Sequence, residues 1–392
     1  MYSLLLAIIF FAFICLGLSG SLLGAAWPVM HLQLGSPLSY AGIISMIITA
    51  GIIAASLSTD RLIRKIGTGL IVVLSVCITS IALFGFSIAG SFLLICLWAL
   101  PYGLGAGALD VTINNYVAVN YKSSHMNWLH CFWGLGAMIG PYIMGFYLTH
   151  DFEWVVGYRT VAMLQVILIA ILIASLSLWE KSDKDKSPLV SVKPFLEILA
   201  IKGVKYVLPA LFAYSAIEAT AGLWASTYLV SHRDISAETA ASFASLFYTG
   251  ITVGRFLSGM ISSKLGNKKM IKAGISLIFL GIITVLLPIR TDLITLMGLV
   301  IIGLGCAPVF PSIIHSTPNS FGYENSQALV GLQMASGYTG SALVPPLFGL
   351  IASFLGMSIY PAFLFVFAVL LLVMTTAVNK KTNGDGTILS SV

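Results

Sequence analysis

Long runs of apolar residues alternate with short polar segments along almost the whole chain. Most runs exceed about 18 residues, the length that an α-helix needs to cross the hydrocarbon core of a bilayer. Their succession predicts an all-α membrane protein with twelve transmembrane helices. The predicted spans 1 to 12 cover about 4–30, 38–59, 68–89, 91–120, 126–149, 157–180, 205–231, 237–263, 269–289, 292–317, 325–354 and 359–379.

One polar segment interrupts this pattern near the middle of the chain. It begins with the charged run from Glu180 to Pro188 and continues to about Lys205. A charge density this high indicates a linker in water. The predicted organisation is therefore an N-terminal six-helix bundle over 1–180, a cytoplasmic linker over 181–204, and a C-terminal six-helix bundle with a short tail over 205–392.

The composition agrees with a surface that faces lipid. Apolar residues make up 58% of the chain and charged residues only 9%, and the mean hydropathy is +1.00. A soluble protein carries roughly a quarter charged residues, which it needs to cover its surface. The formal net charge of +6 does not indicate nucleic-acid binding, because the basic residues lie in short loops between apolar runs.

The distribution of these basic residues predicts the orientation in the membrane. Sixteen of the 20 Lys and Arg residues lie in the central linker, in the tail or in the loops after the even-numbered spans. The opposite side carries only Arg159, Arg233 and Arg290. Because cytoplasmic loops are enriched in Lys and Arg, both termini are expected in the cytoplasm of a cell-membrane protein.

The two predicted halves repeat each other in sequence. Gly103-Leu-Gly105 in span 4 corresponds to Gly303-Leu-Gly305 in span 10. Two further correspondences have nearly the same offset. They pair Gly136, Pro141 and Gly145 with Gly340, Pro345 and Gly349, and Ser56…Asp60-Arg61 with Gly259…Ser263-Lys264. Repeated halves are typical of carriers, whose substrate site lies between the repeats near the bilayer midplane.

Neither a cofactor nor a metal ion is expected. The five cysteines lie inside apolar runs without CxxC spacing, so they are interpreted as small core residues. The sequence has no HExxH, no GxSxG and no cluster of His and Cys, which argues against an intramembrane enzyme.

Span 4 contains the first candidate for chemistry, Asp110, followed by Asn114 and Asn115. A carboxylate inside an apolar span costs several kcal/mol and is usually functional or paired. Asn114 is one turn away on the same helix face. Because a low dielectric disfavours the ionised form, Asp110 is predicted to exchange a proton near neutral pH. The alternative is a structural carboxylate that is hydrogen-bonded to Asn or Ser.

Span 7 contains the second candidate, Glu218, close to mid-depth. Tyr214 is one turn before it, and Trp224 and Tyr228 follow. Aromatic rings beside a carboxylate suit ligands such as sugars, since the ring stacks on an apolar face while the acid accepts hydroxyl hydrogen bonds. Glu218, Trp224 and Tyr228 are predicted to contact the solute. The alternative is a glutamate paired internally for stability.

Weaker candidates complete the predicted pathway. Arg255, near the cytoplasmic end of span 8, is expected to snorkel towards water or to take part in gating. The remaining solute contacts are expected among polar and aromatic residues of other spans, namely Trp27, His130, Gln333 and Tyr338.

The segment from Ser56 to Gly67, between spans 2 and 3, resembles the G-x-x-x-D-R-x-G-R-R/K loop of the major facilitator superfamily. The resemblance implies that Asp60, Arg61 and Arg64 gate the cytoplasmic side by charge pairing with neighbouring helix ends. In this chain Ser56 and Ile63 stand at the glycine positions of the motif.

Longer segments resemble one branch of that superfamily, the fucose–galactose–glucose–proton symporters. They comprise Gly103–Asp110, His130–Gly136, Ala216-Ile-Glu218, Gly250–Arg255 and Gly303–Pro311. In that branch an acid on the fourth helix is tied to proton coupling, and the resemblance assigns this role to Asp110. The resemblance also places the acid of the seventh helix at Glu218, which is expected to take part in the coupling. The segment Gly136–Gly145 also resembles a helix 5 motif of drug–proton antiporters.

Together these features predict a transporter that couples the uptake of a small polar solute to protons. The solute predicted is a hexose. The rival hypothesis is drug or metabolite efflux by proton antiport, and a third is a sensor on a carrier fold. The expected partners are a small-molecule substrate, protons and membrane lipid, with no nucleic acid, and the protein is expected to be a monomer.

Overall fold

The computed structural model describes residues 2–121, 123–179, 195–287 and 292–382. Within them the chain forms helices joined by short turns. The α-helices are α1 (Tyr2–Gly20), α2 (Leu22–Gln33), α3 (Ala41–Ile66), α4 (Thr68–Ile88), α5 (Phe92–Asn120), α6 (Ser123–Thr149), α7 (Trp154–Ala174), α8 (Leu176–Trp179), α9 (Phe195–Ala200), α10 (Val204–Arg233), α11 (Ala237–Leu265), α12 (Asn267–Leu286), α13 (Asp292–Phe321), α14 (Tyr323–Leu355) and α15 (Tyr360–Thr382).

The prediction of a twelve-helix membrane fold is confirmed. Predicted span 1 corresponds to α1 and α2 together, spans 2 to 6 to α3–α7, and spans 7 to 12 to α10–α15. Eleven of these units in the described ranges are long and apolar enough to cross a membrane. The twelfth, α11, is richer in small polar residues and packs between α6 and α13. Large apolar side chains, such as Ile88 and Phe354, point outward as a lipid-facing surface requires.

Three predicted features differ from the structure. The first span is not continuous, because the chain turns at Ser21 and divides it into α1 and α2. The second span continues to Ile66, so the segment with Asp60 and Arg61 is the end of a helix and not a loop. Of the predicted linker, 181–194 lie outside the described residues, and the remainder contains the short helix α9.

Close backbone contacts at glycine repeat in the two halves. A Cβ atom on Gly103 of α5 would collide with the Ile48 carbonyl of α3, and one on Gly303 of α13 would collide with the Phe247 carbonyl of α11. Small residues let membrane helices approach closely, and lipid supplies no hydrophobic force that could replace such packing. The matched glycines therefore fix the same helix pair in both halves.

A second pair of glycines follows the same rule. A Cβ atom on Gly136 of α6 would meet the Ile14 carbonyl of α1, and one on Gly340 of α14 would meet the Phe212 carbonyl of α10. The sequence offsets therefore correspond to equivalent contacts in space. This agreement supports two six-helix bundles of the same internal design.

The two bundles are sealed against each other on the side opposite to the chain termini. There α2 packs against α10 and α11, and the start of α3 packs against α14. A Cβ atom on Gly24 would lie 2.7 Å from the Gly222 carbonyl oxygen, so backbone meets backbone at this seal. Towards the terminal side, α5 makes no comparable packing with α10, α13 or α14 among the described residues. The structure is thus closed at one end.

Substitution of Gly24 by Val tests this seal. The added side chain cannot fit against Gly222, so we expect the bundles to separate on the side opposite to the termini. Pulsed electron paramagnetic resonance between spin labels at Leu32→Cys and Ser231→Cys, in a background without native cysteines, should give longer distances. The control is Gly259→Val, because no atom lies within 4 Å of a Cβ atom at that position. An unchanged distance distribution in Gly24→Val would contradict the assignment of the seal.

Candidate functional site

A cavity of about 400 Å³ lies between the two bundles at the middle of the fold. Its walls come from α1–α7 in the first half and from α10, α11, α13 and α14 in the second. A volume of this size is in the range of pockets that enclose small molecules. Four predicted site residues line it, namely Asp110, Glu218, Arg255 and Tyr338, and so does the weaker candidate His130.

The turn between α1 and α2 forms part of the cavity wall. Ser19 and Ser21 line the cavity on either side of Gly20, and their hydroxyls donate to carbonyl groups of the preceding turn. Hydroxyl bonds of this kind satisfy backbone acceptors where a helix is interrupted. The Tyr102 hydroxyl of α5 donates to Ser19 Oγ at 2.9 Å. The interruption is therefore held in place from a neighbouring helix.

Asp110 lies beside neutral polar groups from both halves of the molecule. Asn114 Nδ2 donates to Asp110 Oδ1 at 2.9 Å, within the same helix. Tyr338 of α14, in the other bundle, lies beside the same carboxyl group at the cavity wall. No cation among the described residues pairs with Asp110. Its carboxyl group faces the cavity between the two halves.

Glu218 and Arg255 form an ion pair inside the second bundle. Arg255 Nη2 lies 3.6 Å from Glu218 Oε1, and the exposed fractions of the side chains are 12% for Arg255 and 21% for Glu218. The expectation that Arg255 snorkels is wrong. A carboxylate on the neighbouring helix compensates its charge at depth, so the side chain need not reach water.

Arg255 also contacts the first bundle. Its Nη1 donates to the His130 carbonyl oxygen at 3.3 Å, and its guanidinium lies 5.2 Å from the centre of the Trp133 ring. Both partners are on α6. A cation above an indole face is attracted by the ring quadrupole. One side chain thus connects an acid in the second half to the backbone and an aromatic ring in the first half.

Aromatic side chains form the cavity wall on both sides of these charges. In the first half, the Phe86 ring lies 5.5 Å from that of Tyr158 and 6.1 Å from that of Tyr102. In the second half, the Tyr214 and Phe310 rings are 5.8 Å apart. Amphipathic rings around a few charged groups suit a ligand with both apolar faces and polar substituents.

Several predicted solute contacts do not reach the cavity. The Trp27 indole is fully buried and donates to the Leu38 carbonyl at 2.7 Å, and the Trp224 indole donates to the Pro345 carbonyl at 3.0 Å. Tyr228 is buried against the Tyr360 ring at 4.9 Å. These aromatic residues pack against elements at the sealed end and stabilise the fold there.

The other predictions have different outcomes. Gln333 is fully buried, and its Oε1 accepts from Thr317 Oγ1 at 3.0 Å within the second bundle. Asn114 and Asn115, the predicted solute contacts of α5, are both absent from the cavity wall. Asn114 bonds to Asp110, and Asn115 is exposed. Arg61 is also exposed, whereas the side chains of Asp60 and Arg64 lie outside those that the structure describes.

The glycines of the helix 5 motif have a packing role. A Cβ atom on Gly140 would lie 2.6 Å from the Leu18 carbonyl oxygen of α1, and one on Gly145 would lie 2.8 Å from the Ser242 nitrogen of α11. Close helix packing therefore accounts for this pattern without any particular transport chemistry.

Sequence reasoning did not identify Ser19, Tyr102, Tyr158 and Tyr248 as cavity residues, although all four line the wall. The three tyrosines could have been recognised, because a tyrosine hydroxyl inside an apolar span requires a polar partner or water and so indicates a cavity or a buried hydrogen bond. The serines gave no comparable signal, since a serine in a membrane helix commonly bonds to its own backbone.

Comparisons with known proteins assign the chain to one family. The family model of the Major Facilitator Superfamily matches residues 9–324 and 207–384. Bypass of stop codon protein 6 of Saccharomyces cerevisiae is 24% identical over 85% of this chain and 74% of its own length. The glucose/mannose transporter GlcP of Bacillus subtilis is 23% identical over 76% of each chain. The cis,cis-muconate transport protein of Acinetobacter baylyi is 24% identical over 58% of each.

Solved structures with the same fold include two transporters. A bacterial homologue of the lysosomal transporter Spinster, in an inward-facing and unoccupied conformation, has a TM-score of 0.76 with 13% identity and covers 97% of both chains. A mutant of the peptide transporter POT has a TM-score of 0.79 with 15% identity, over 96% of this chain and 95% of its own.

Substitution of Trp224 by Phe tests the structural role of that residue. The change removes the buried hydrogen bond to the Pro345 carbonyl, so we expect a loss of stability on the order of 1 kcal/mol. Because the indole does not line the cavity, solute exchange per folded molecule should be unchanged. Thermal unfolding in detergent and exchange in proteoliposomes measure the two effects. Normal stability with weakened solute binding would contradict the packing role.

Proposed function

We propose, from the premise that the chain belongs to the Major Facilitator Superfamily, that it moves a small polar solute, a hexose or related sugar, by proton-coupled alternating access. Asp110 carries the coupled proton in this proposal, and Glu218 is the second protonatable group. The solute occupies the central cavity, where Tyr338 and Asn114 position the Asp110 carboxyl group.

One observation carries the proposal more than any other. Two acids, one from each bundle, face the same cavity near the middle of a membrane protein. Intramembrane acids are costly and mark substrate pathways or proton relays. Asp110 has only neutral hydrogen-bond partners among the described residues, so a proton on it leaves no cation unpaired. This environment favours reversible protonation over a fixed structural charge.

The cavity lining supports a hydroxylated solute. Ser45, Ser215 and Ser341 add hydroxyl groups to those of the α1–α2 turn, and aromatic rings flank them. Hydroxyls and carboxylates match the hydroxyl groups of a sugar, while the rings match its apolar face. A relative whose name gives glucose and mannose as its solutes agrees with this assignment.

The asymmetric seal supports alternating access. If both termini are cytoplasmic, as the basic residues predict, the closed end faces outward and the structure is the inward-facing state. Asp60, Arg61, Arg64 and Arg255 are then proposed to gate the cytoplasmic side. The proposed setting is a monomer in the cell membrane.

Substitution of Asp110 by Asn tests proton coupling. The amide keeps the size of the side chain and can still accept from Asn114 through its oxygen, but it cannot exchange a proton. In proteoliposomes with an inward proton gradient, we expect labelled hexose accumulation to fall to a concentration ratio of about 1, because uncoupled transport only equilibrates the solute. Counterflow without a gradient should persist.

The matched control is Asp292→Asn, at the exposed end of α13 near Arg233. It removes an acid outside the cavity, so accumulation should match that of the unmodified chain. Full gradient-driven accumulation in Asp110→Asn would remove the coupling role of this residue. Absence of counterflow of both neutral hexoses and their acid derivatives in the unmodified chain would overturn the sugar assignment.

A further inference from the structure

Arg255 has more hydrogen-bond donors than its surroundings use. A guanidinium has five N–H donors in a planar fork. Nη1 bonds to the His130 carbonyl, and Nη2 lies 3.6 Å from Glu218. The Nε atom is buried, and no acceptor among the described residues lies within hydrogen-bonding distance of it. Since a buried donor without a partner is costly, a ligand acceptor at this edge would be stabilised.

The ion pair with Glu218 is loosely formed. Charge-assisted N–H···O bonds are usually about 2.7–2.9 Å long, and the separation here is 3.6 Å. The two side chains come from adjacent helices, α10 and α11, and both line the cavity. A planar carboxylate in the cavity can therefore approach the loosely held Nη2 group and compete with Glu218 for the guanidinium.

A carboxylate ligand adds a negative charge to the cavity, and this charge must be compensated. Arg255 is the sole Lys or Arg among the described lining residues, and Asp110 and Glu218 are the acids. The other polar or titratable groups near the Glu218–Arg255 pair are His130, Cys131, Tyr214, Tyr248 and Cys306. An incoming carboxylate would leave Glu218 ionised and unpaired at depth, which is unfavourable. A proton on Glu218 removes this penalty.

We propose that the solute is a hydroxylated carboxylate of the sugar-acid class, with its carboxylate on Arg255 and a compensating proton on Glu218. This inference rests on the proposed transport function and specifies its substrate. The solute brings one negative charge and the proton one positive charge, so the occupied site has the same net charge as the empty site. The hydroxyl groups of the solute face the serine and tyrosine hydroxyls of the wall.

The names of two relatives give solutes that each share one chemical group with a sugar acid. The name of one gives neutral hexoses as its solutes, and that of the other gives a dicarboxylate. A sugar acid shares its hydroxyl groups with the first and its carboxylate with the second. The serine hydroxyls of the cavity wall can bond to the hydroxyl groups of a sugar acid, and the guanidinium of Arg255 can bind its carboxylate.

The test is equilibrium exchange by the full chain in proteoliposomes, with glucose, glucuronate and glucosamine as labelled probes. These share one ring and differ in charge. We expect glucuronate exchange that increases as the pH falls. Arg255→Lys keeps the charge but loses the fork, and it should weaken the apparent glucuronate affinity by about tenfold or more. Glu218→Gln should keep glucuronate exchange and make it less dependent on pH.

The matched control is Arg159→Lys, the same substitution on α7 where the arginine contacts Ser87 outside the cavity, and it should behave like the unmodified chain. Glucose exchange that glucuronate neither shares nor inhibits would overturn the carboxylate class and leave the transporter proposal intact. The inference is also overturned if Arg255→Lys weakens glucose and glucuronate equally. Failure of all three probes would overturn both proposals.

Discussion

Charge inside a low-dielectric environment must be compensated, and the centre of this protein is organised by that constraint. Each charged group in the cavity lies beside a polar group on another helix. Asp110 lies beside Tyr338 of the opposite bundle, and Arg255 connects Glu218 to α6. The compensating groups are therefore also the links between the two halves. A change of protonation or ligand at these groups alters the contacts that join the bundles.

Much of the fold was predictable because the bilayer restricts what a chain can do. Long apolar runs had to be helices, and the nearly constant offsets between glycine motifs predicted equivalent helix pairs in the two halves. The depth of Asp110 and Glu218 followed from the same pattern. The end of α3 was less predictable, because a polar helix can extend beyond the bilayer without any change of hydropathy period.

The candidate site was predictable in its acids but not in its aromatic residues. A carboxylate in an apolar span must face a partner or a cavity, so its cost alone revealed Asp110 and Glu218. Trp224 and Tyr228 follow Glu218 by about two and three helical turns, yet they face the buried interior near Pro345 and Tyr360. The spacing of residues along one helix shows which of them share a helix face, but it does not show which other helix packs against that face. That neighbour is set by helices distant in sequence, here α14 and α15.

The interruption at Ser21 has a mechanical consequence. The two parts of the first span pack against different bundles. Helix α1 packs against α6 of its own bundle, and α2 packs against α10 and α11 of the other. The joint between them carries the hydroxyls of Ser19 and Ser21 at the cavity wall. A solute bound in the proposed site would therefore contact a joint whose two sides are packed on different bundles. Its binding would be coupled mechanically to the relative position of the bundles.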